Sequence, residues 1–385
     1  MKVFKVILIV LVVIVAVIYG GVFLGHKVIF PVAFSDVPTI NGVHDEKFHL
    51  GNQHSGDTIE EYLKIFAKQV TKYHEIATKL WPDNKANHQT IIVEEINTSK
   101  FWRIHPDGAM ESISQKEALT YDFQRNRYFN GFDFFEGGAY IAVSKEDLNN
   151  HLIHQQYLHL GTYDPFITFV HEEFHGNEQR SWASLKDVPN LEREEYIDNL
   201  PARAKRALLQ QQLLDAIAQP EQPELILNAV ATYEDYKLQF PQEAELAIHT
   251  DRIEGTAYYL ELIASLYSGY PDQIQNEDDL KQALSLLATR KDVYIDYGLV
   301  VEGYNVGGFA GILLDRIHEN WKQELMQDAT LSPIELLSRH YQGTALPEAV
   351  QLTQEDIDNI SSKIEQKTEG NGPDFLFKAL YNLLF

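Results

Sequence analysis

The chain contains no cysteine. Disulfides, a thiolate nucleophile, a cysteine-built metal site and a lipidated N-terminal cysteine are therefore excluded, and histidine and carboxylates are left as the available metal ligands. Positive charge is also scarce. The 32 Lys and Arg residues face 56 Asp and Glu, a formal net charge of −24. Such a surface repels phosphate backbones, so nucleic acid is not an expected partner. No internal repeat is visible, and no low-complexity tract apart from one apolar run at the start. The remaining composition, 44% hydrophobic over 385 residues, is that of a globular protein long enough for two domains or one large one.

The apolar run follows Lys2 and Lys5. Val6 to Gly25 carries no charge and is mostly Val, Ile and Leu. As a helix it spans about 30 Å, the thickness of a bilayer's hydrocarbon core. No Ala-x-Ala site follows it, which favours an uncleaved signal anchor over a signal peptide. The short basic start places the N-terminus in the cytoplasm. No later stretch is apolar enough to span again. The sequence thus predicts a single-pass membrane protein whose bulk lies outside the cytoplasm, in the periplasm or at the cell surface. The expected divisions are an anchor over 1–30, an irregular tether over 31–56, an N-terminal lobe over 57–183 and a helical lobe over 184–385.

Local signals give a coarse fold. Thr58-Ile59-Glu60-Glu61 is a capping box, and apolar residues from Ile59 to Leu80 follow helical spacing up to Pro82. Thr90–Val93 and Ala139–Val143 are β-rich, predicting a small sheet over about 90–145. From Ser184 onward the pattern is helical, broken at Pro220 and Pro223, and Phe375–Phe385 reads as an amphipathic helix packed on the body. The expected class is α+β, mainly α: an N-terminal membrane helix, a small sheet, and a large helical C-terminal part.

Beside that sheet lies the stretch with the most chemistry. Asp164 and Pro165 suit the N-cap and first position of a helix expected over 165–180. On that helix His171 and His175 are one turn apart on one face, within reach of a single ion, and Glu172 is offset by about 100°. This is His-Glu-x-x-His, two zinc ligands and a general base. Histidine is frequent enough, 15 of 385 residues, for the motif to arise by chance, so its surroundings matter. Phe166, Ile167, Phe169, Val170 and Phe174 make the helix apolar, and imidazoles on a buried helix are costly unless something satisfies them.

A catalytic zinc takes three protein ligands and leaves one position open. A third histidine of the metzincin type is excluded, because Glu178 and Ser181 stand where the Gly and His would be. Downstream, Asp251–Glu261 reads as a helix with an acidic face on which Glu254, Tyr258 and Glu261 share a side, and Gly255 and Ala257 make it thin. Glu254, Glu261 and Glu302 are the competing third ligands, with Glu254 leading and Glu178 poorly placed.

His171-Glu172-x-x-His175 followed by Glu254-Gly-Thr-Ala resembles the gluzincin group of zinc metallopeptidases, which includes thermolysin-like enzymes and related aminopeptidases. The resemblance covers two short segments. It implies Glu254 as third ligand and Glu172 as catalytic base. Two positions depart from the group: Tyr258 stands where an aspartate orients a ligand histidine, and Ile253 replaces an asparagine. Asp251 or Glu261 is the expected substitute for the missing support. Extracellular zinc peptidases often present an edge strand that holds an extended peptide beside the metal; Gly137–Val143 reads equally as such a strand or as an ordinary strand after a turn.

Zinc so bound acidifies a water, and Glu172 takes its proton and passes it to the leaving nitrogen. Tyr304, in the glycine-rich Glu302–Gly311 stretch, is the first candidate for stabilising the oxyanion, followed by His249, Arg252 and Tyr258. The function expected is therefore zinc-dependent peptide hydrolysis, on a peptide or protein substrate, outside the cytoplasm. A non-peptidase zinc hydrolase and a non-catalytic, membrane-tethered helical binding protein are the alternatives.

Overall fold

The computed structural model describes residues 42–51, 58–82, 84, 86, 89–96, 98, 100–125, 131–143, 160, 162, 164–183, 199–295 and 299–370, with backbone only for 164, 292–293, 299–300 and 365–370. The expected membrane helix and the expected terminal helix over Phe375–Phe385 lie outside these residues. Among the described residues no helix is long and apolar enough to cross a membrane.

A short hairpin of β1 (Val43–His44) and β2 (His49–Leu50) stands inside the stretch expected to be an irregular tether. Val43, Phe48 and Leu50 are buried, and Tyr270 brackets the Gly51 backbone with two hydrogen bonds of 2.9 Å. Three apolar side chains spaced among polar ones were enough to dock this piece, a signal too short to read as a strand. Helix α1 (Ile59–Leu80) begins at the capping box as expected, with Thr58 accepting from the Glu61 N–H.

The sheet forms from β3 (Thr90–Glu95), β4 (Lys100–Ile104), β5 (Met110–Ile113), β6 (Gly131–Phe135) and β7 (Gly138–Val143), with the short helix α2 (Gln115–Ala118) after β5. Its order is β5-β4-β3-β7-β6, and only β3 and β7 run parallel. Ile91, Val93, Ala139, Ile141 and Val143 face the main core, while Ile92, Tyr140 and Ala142 face a smaller cluster with Phe101 and Ile113. Burial on both faces explains why Thr90–Val93 reads as a continuous apolar run rather than an alternating one. Pairing with β3 on one side and β6 on the other removes β7 from the sheet edge. The strand proposed as an edge, Gly137–Val143, is paired on both sides, and among the described residues β6 and β5 end the sheet. Gly137 supplies the left-handed turn (φ 82°) that folds β6 back along β7.

Helix α3 (Asp164–Glu173) carries the motif. Its Phe166 and Phe169 rings meet Phe66 and Tyr73 of α1 edge-on at 6.3–6.4 Å. The rest is helical: α4 (Leu200–Ala218), α5 (Glu224–Gln239), α6 (Pro241–Gly269), α7 (Glu277–Ala288), α8 (Lys291–Tyr294), α9 (Leu299–Ile317), α10 (Trp321–Gln327), α11 (Pro333–His340) and α12 (Gln354–Gly370). The class is thus α+β and mainly α. Residues 40–364 form one compact unit, in which the core cluster running through α1 and α3 continues into α4, α6 and α9.

Helices α6 and α9 approach closely. A Cβ on Gly307 would come within 1.9 Å of the Asp251 carbonyl, and one on Gly255 within 2.5 Å of the Gly307 Cα. The small residue at Gly255, read from the sequence as thinning this helix, makes room for α9.

Candidate metal centre

The motif helix does not continue regularly to residue 180. After Glu173 it widens into a π turn, Phe174–Glu178, and then tightens to a 3-10 turn, Gln179–Ser181. A π turn inserts one extra residue and re-aims the side chains that follow, and it is frequent at functional sites. Gly176 lies within it against the Phe134 ring of β6, where a Cβ would sit only 2.3 Å from the nearest ring carbon.

Three side chains converge here. His171, His175 and Glu254 each offer a ligand atom, all within 4.8 Å of one another. His171 Nε2 and His175 Nε2 are 2.8 Å apart, and Glu254 Oε2 lies 3.2 Å from the first and 3.4 Å from the second. That oxygen is buried and near both rings, yet aligned for a hydrogen bond with neither. A tetrahedral zinc with bonds of about 2.0–2.1 Å sets its ligand atoms about 3.3 Å apart. The two imidazoles and the unsatisfied carboxylate oxygen suit such an ion in chemistry; both carboxylate–imidazole distances match its spacing, and the 2.8 Å between the imidazole nitrogens is shorter.

The charges agree. Burial lowers the affinity of His171 for a proton, but Glu261 and Glu254 outweigh it and push its pKa up to about 10. Burial raises the Glu254 carboxyl, and the two histidines more than reverse this, holding it well below the usual carboxylate range. The pocket therefore favours positive charge.

Glu261 answers the question of support for the first histidine. Its carboxylate accepts a short hydrogen bond from His171 Nδ1, so it fixes the ring from behind, seven residues beyond Glu254 on α6. Asp251, the other expected substitute, is bound instead to Arg206 of α4 at 2.8 Å. The remaining third-ligand candidates are excluded by place. Glu302 is fully buried against Arg203 and Arg206, and Glu178 acts on Glu173 and Tyr73.

Tyr304 of α9 is brought to the centre by the close α6–α9 packing. Its ring stacks on His171 at 5.5 Å with 9° between planes, and its hydroxyl interacts with the Glu254 carboxylate. Burial first, then Glu254, raise that hydroxyl well above its ordinary pKa, so it remains a neutral donor. Glu172, half-buried on α3, is close enough for its charge to contribute. The other oxyanion candidates fare differently. Arg252 donates to the backbone carbonyls of Asp328 and Ala183 (2.5 and 3.0 Å) and lies over the Trp182 ring, so it holds chain segments together. Tyr258 is fully buried beside Tyr304 and Phe309. His249 is half-buried, with a pKa lowered by burial despite the nearby Glu254.

Two residues escaped the sequence reading. Glu173, between the motif's two histidines, is fully buried and accepts from Tyr73 Oη (3.2 Å), Gln89 Nε2 (3.1 Å) and Asn177 Nδ2 (2.9 Å), pinning α3 and its π turn to α1. Gln179 bonds to His175. Its position four residues after His175 repeats the spacing within the motif and was the signal available. Compared with protein-family models, curated proteins and solved structures, the chain matches none.

Proposed function

We propose that this chain is a zinc-dependent metallopeptidase of gluzincin type, anchored in a membrane by its N-terminal apolar run and acting on peptides or proteins outside the cytoplasm. One observation carries the reading: His171 Nε2, His175 Nε2 and an unsatisfied oxygen of Glu254 converge beside a half-buried glutamate that follows the first histidine.

Zinc held by His171, His175 and Glu254 would polarise a scissile carbonyl and lower the pKa of a water towards about 7. Glu172 takes that water's proton on its carboxylate and returns it to the departing nitrogen. The Tyr304 hydroxyl, kept neutral by burial, donates to the oxyanion that develops on the carbonyl. Glu261 holds His171 so that Nε2 faces the centre.

The outer edge of β6, unpaired among the described residues, is the surface suited to an extended peptide. It supports the reading because Phe134 packs on Gly176 of the π turn and Phe132 meets Phe169 of α3, which ties the edge to the motif helix.

Metal content and a peptide-cleavage profile of the detergent-purified full chain test the proposal. Zinc is expected at one per chain. Glu172→Gln is expected to keep the metal and to lower turnover by about 10²–10⁴-fold, the usual cost of losing a positioned base. A chain without metal, or a Glu172→Gln variant with wild-type turnover, overturns it.

A further inference from the structure

The two histidines are held from behind by different chemistry. His171 Nδ1 donates to a carboxylate, Glu261, whereas His175 Nδ1 donates to the neutral amide oxygen of Gln179 at 2.6 Å. The other end of that amide reaches across to α6. Gln179 Nε2 donates to the Ile253 carbonyl at 2.8 Å and to Thr256 Oγ1 at 2.9 Å, one residue before and two after Glu254. Thr256 is fully buried and donates in turn to the Arg252 carbonyl at 2.7 Å. A single side chain, itself buried, thus spans His175 and the helical turn that presents Glu254.

We propose that Gln179 is a positioning residue that sets the tautomer of His175 and locks the π turn in register with the Glu254 turn of α6. The inference rests on the metal-site reading above. Its first part follows from hydrogen-bond chemistry. An amide oxygen at Nδ1 requires the proton there, which leaves the lone pair on Nε2 facing His171 Nε2 and Glu254 Oε2. Its second part follows from geometry. The π turn is the irregular part of the motif helix, and no regular i→i+4 ladder fixes how far it rolls. Bonds from Gln179 to both a backbone carbonyl and a hydroxyl of α6 supply that constraint, because any roll of His175 away from Glu254 stretches them.

Charge explains why the residue is an amide. A divalent cation there already faces the carboxylates of Glu254, Glu261 and nearby Glu172, so its charge is fully matched. A further carboxylate behind His175 would add uncompensated negative charge in a largely buried site, which is costly. A carboxylate would also present no donor to the Ile253 carbonyl. Gln179 satisfies an N–H on one side and a C=O on the other without adding charge.

The test compares wild type, Gln179→Met and Gln179→Glu in the full chain, with two readouts. The first is the imidazole tautomer of His175 in the metal-free protein, read from long-range nitrogen–proton NMR correlations. The second is zinc affinity against a competing chelator. Wild type and Gln179→Glu are expected to hold the proton on Nδ1, and Gln179→Met to give a mixed population. Zinc affinity is expected to fall by about 10–100-fold in Gln179→Met, the range typical for loss of a ligand's supporting partner. Gln179→Glu, which keeps the acceptor and loses the donors to α6, is expected to fall between the two. Gln179→Met with an unchanged tautomer and zinc affinity within about twofold of wild type overturns the inference. A wild type that binds no zinc overturns the metal reading instead, and the tautomer comparison still decides the orienting role. Should Gln179→Met fail to fold, loss of the Nδ1 proton in a folded Gln179→Glu variant overturns it equally.

Discussion

Glu254 is surrounded by imidazoles and Glu302 by guanidinium groups, and replacing each by alanine separates the two environments. Removing Glu254 leaves two histidines and water around the ion, so zinc affinity is expected to collapse while the apolar core keeps the fold. Removing Glu302 strands Arg203 and Arg206 with one carboxylate fewer in a fully buried cluster that also holds Glu243 and Asp251. Breaking a buried ion network by deleting one partner typically costs about 3–5 kcal/mol. Glu302→Ala is therefore expected to lower the urea midpoint sharply and to keep its metal. A zinc titration with a competing chelator, run beside urea unfolding on both variants, distinguishes the two roles. If Glu302→Ala loses the metal and Glu254→Ala keeps it, the assigned third ligand is wrong.

At the scale of elements, the centre depends on how closely α6 and α9 approach. Gly255, Gly303 and Gly307 form the seam, and the Gly307 Cα lies where no Cβ fits against the Asp251 carbonyl. The approach lets Tyr304 on α9 stack on His171 of α3 while Glu254 on α6 reaches the same ring. Gly307→Ala must push the helices apart. Overpacking of this kind typically costs about 1–3 kcal/mol, and here the steric conflict is with backbone, which yields less than a side chain. The variant is expected to lose stability and to lower kcat more than zinc affinity, because Tyr304 moves with α9 while His171, His175 and Glu254 stay on α3, its π turn and α6. Unchanged kcat in a destabilised Gly307→Ala protein would remove Tyr304 from the proposed mechanism. The π turn is a second element-scale device, gripped on one side by Glu173 through Tyr73, Gln89 and Asn177, and on the other by Gln179.

At the scale of the whole molecule, the proposed anchor over residues 6–25 is expected to keep the protein in the membrane until detergent is added, with its bulk open to protease from outside the cytoplasm. A soluble form whose N-terminus begins beyond residue 20 would show cleavage instead. Several features of the rest were legible in the chain alone. The capping box at Thr58, the β-rich runs at Thr90 and Ala139, and the motif at His171 are all local, set by residues a few positions apart, and local patterns carry their own physics. What required the tertiary structure was long-range. Glu254, Glu261 and Glu302 are alike in the sequence, and each acquires its surroundings from partners up to about a hundred residues away: the two histidines for Glu254, His171 Nδ1 for Glu261, Arg203 and Arg206 for Glu302. Strand order is equally non-local, so β7 reads as an edge until its pairing with β3 is known. The contact of Gln179 with both His175 and the Ile253 carbonyl likewise follows a π turn for which helical periodicity gives no warning. A sequence states which donors and acceptors a chain possesses; which of them face one another is decided when the helices pack, because burial leaves each polar group only the partners that the fold brings within reach.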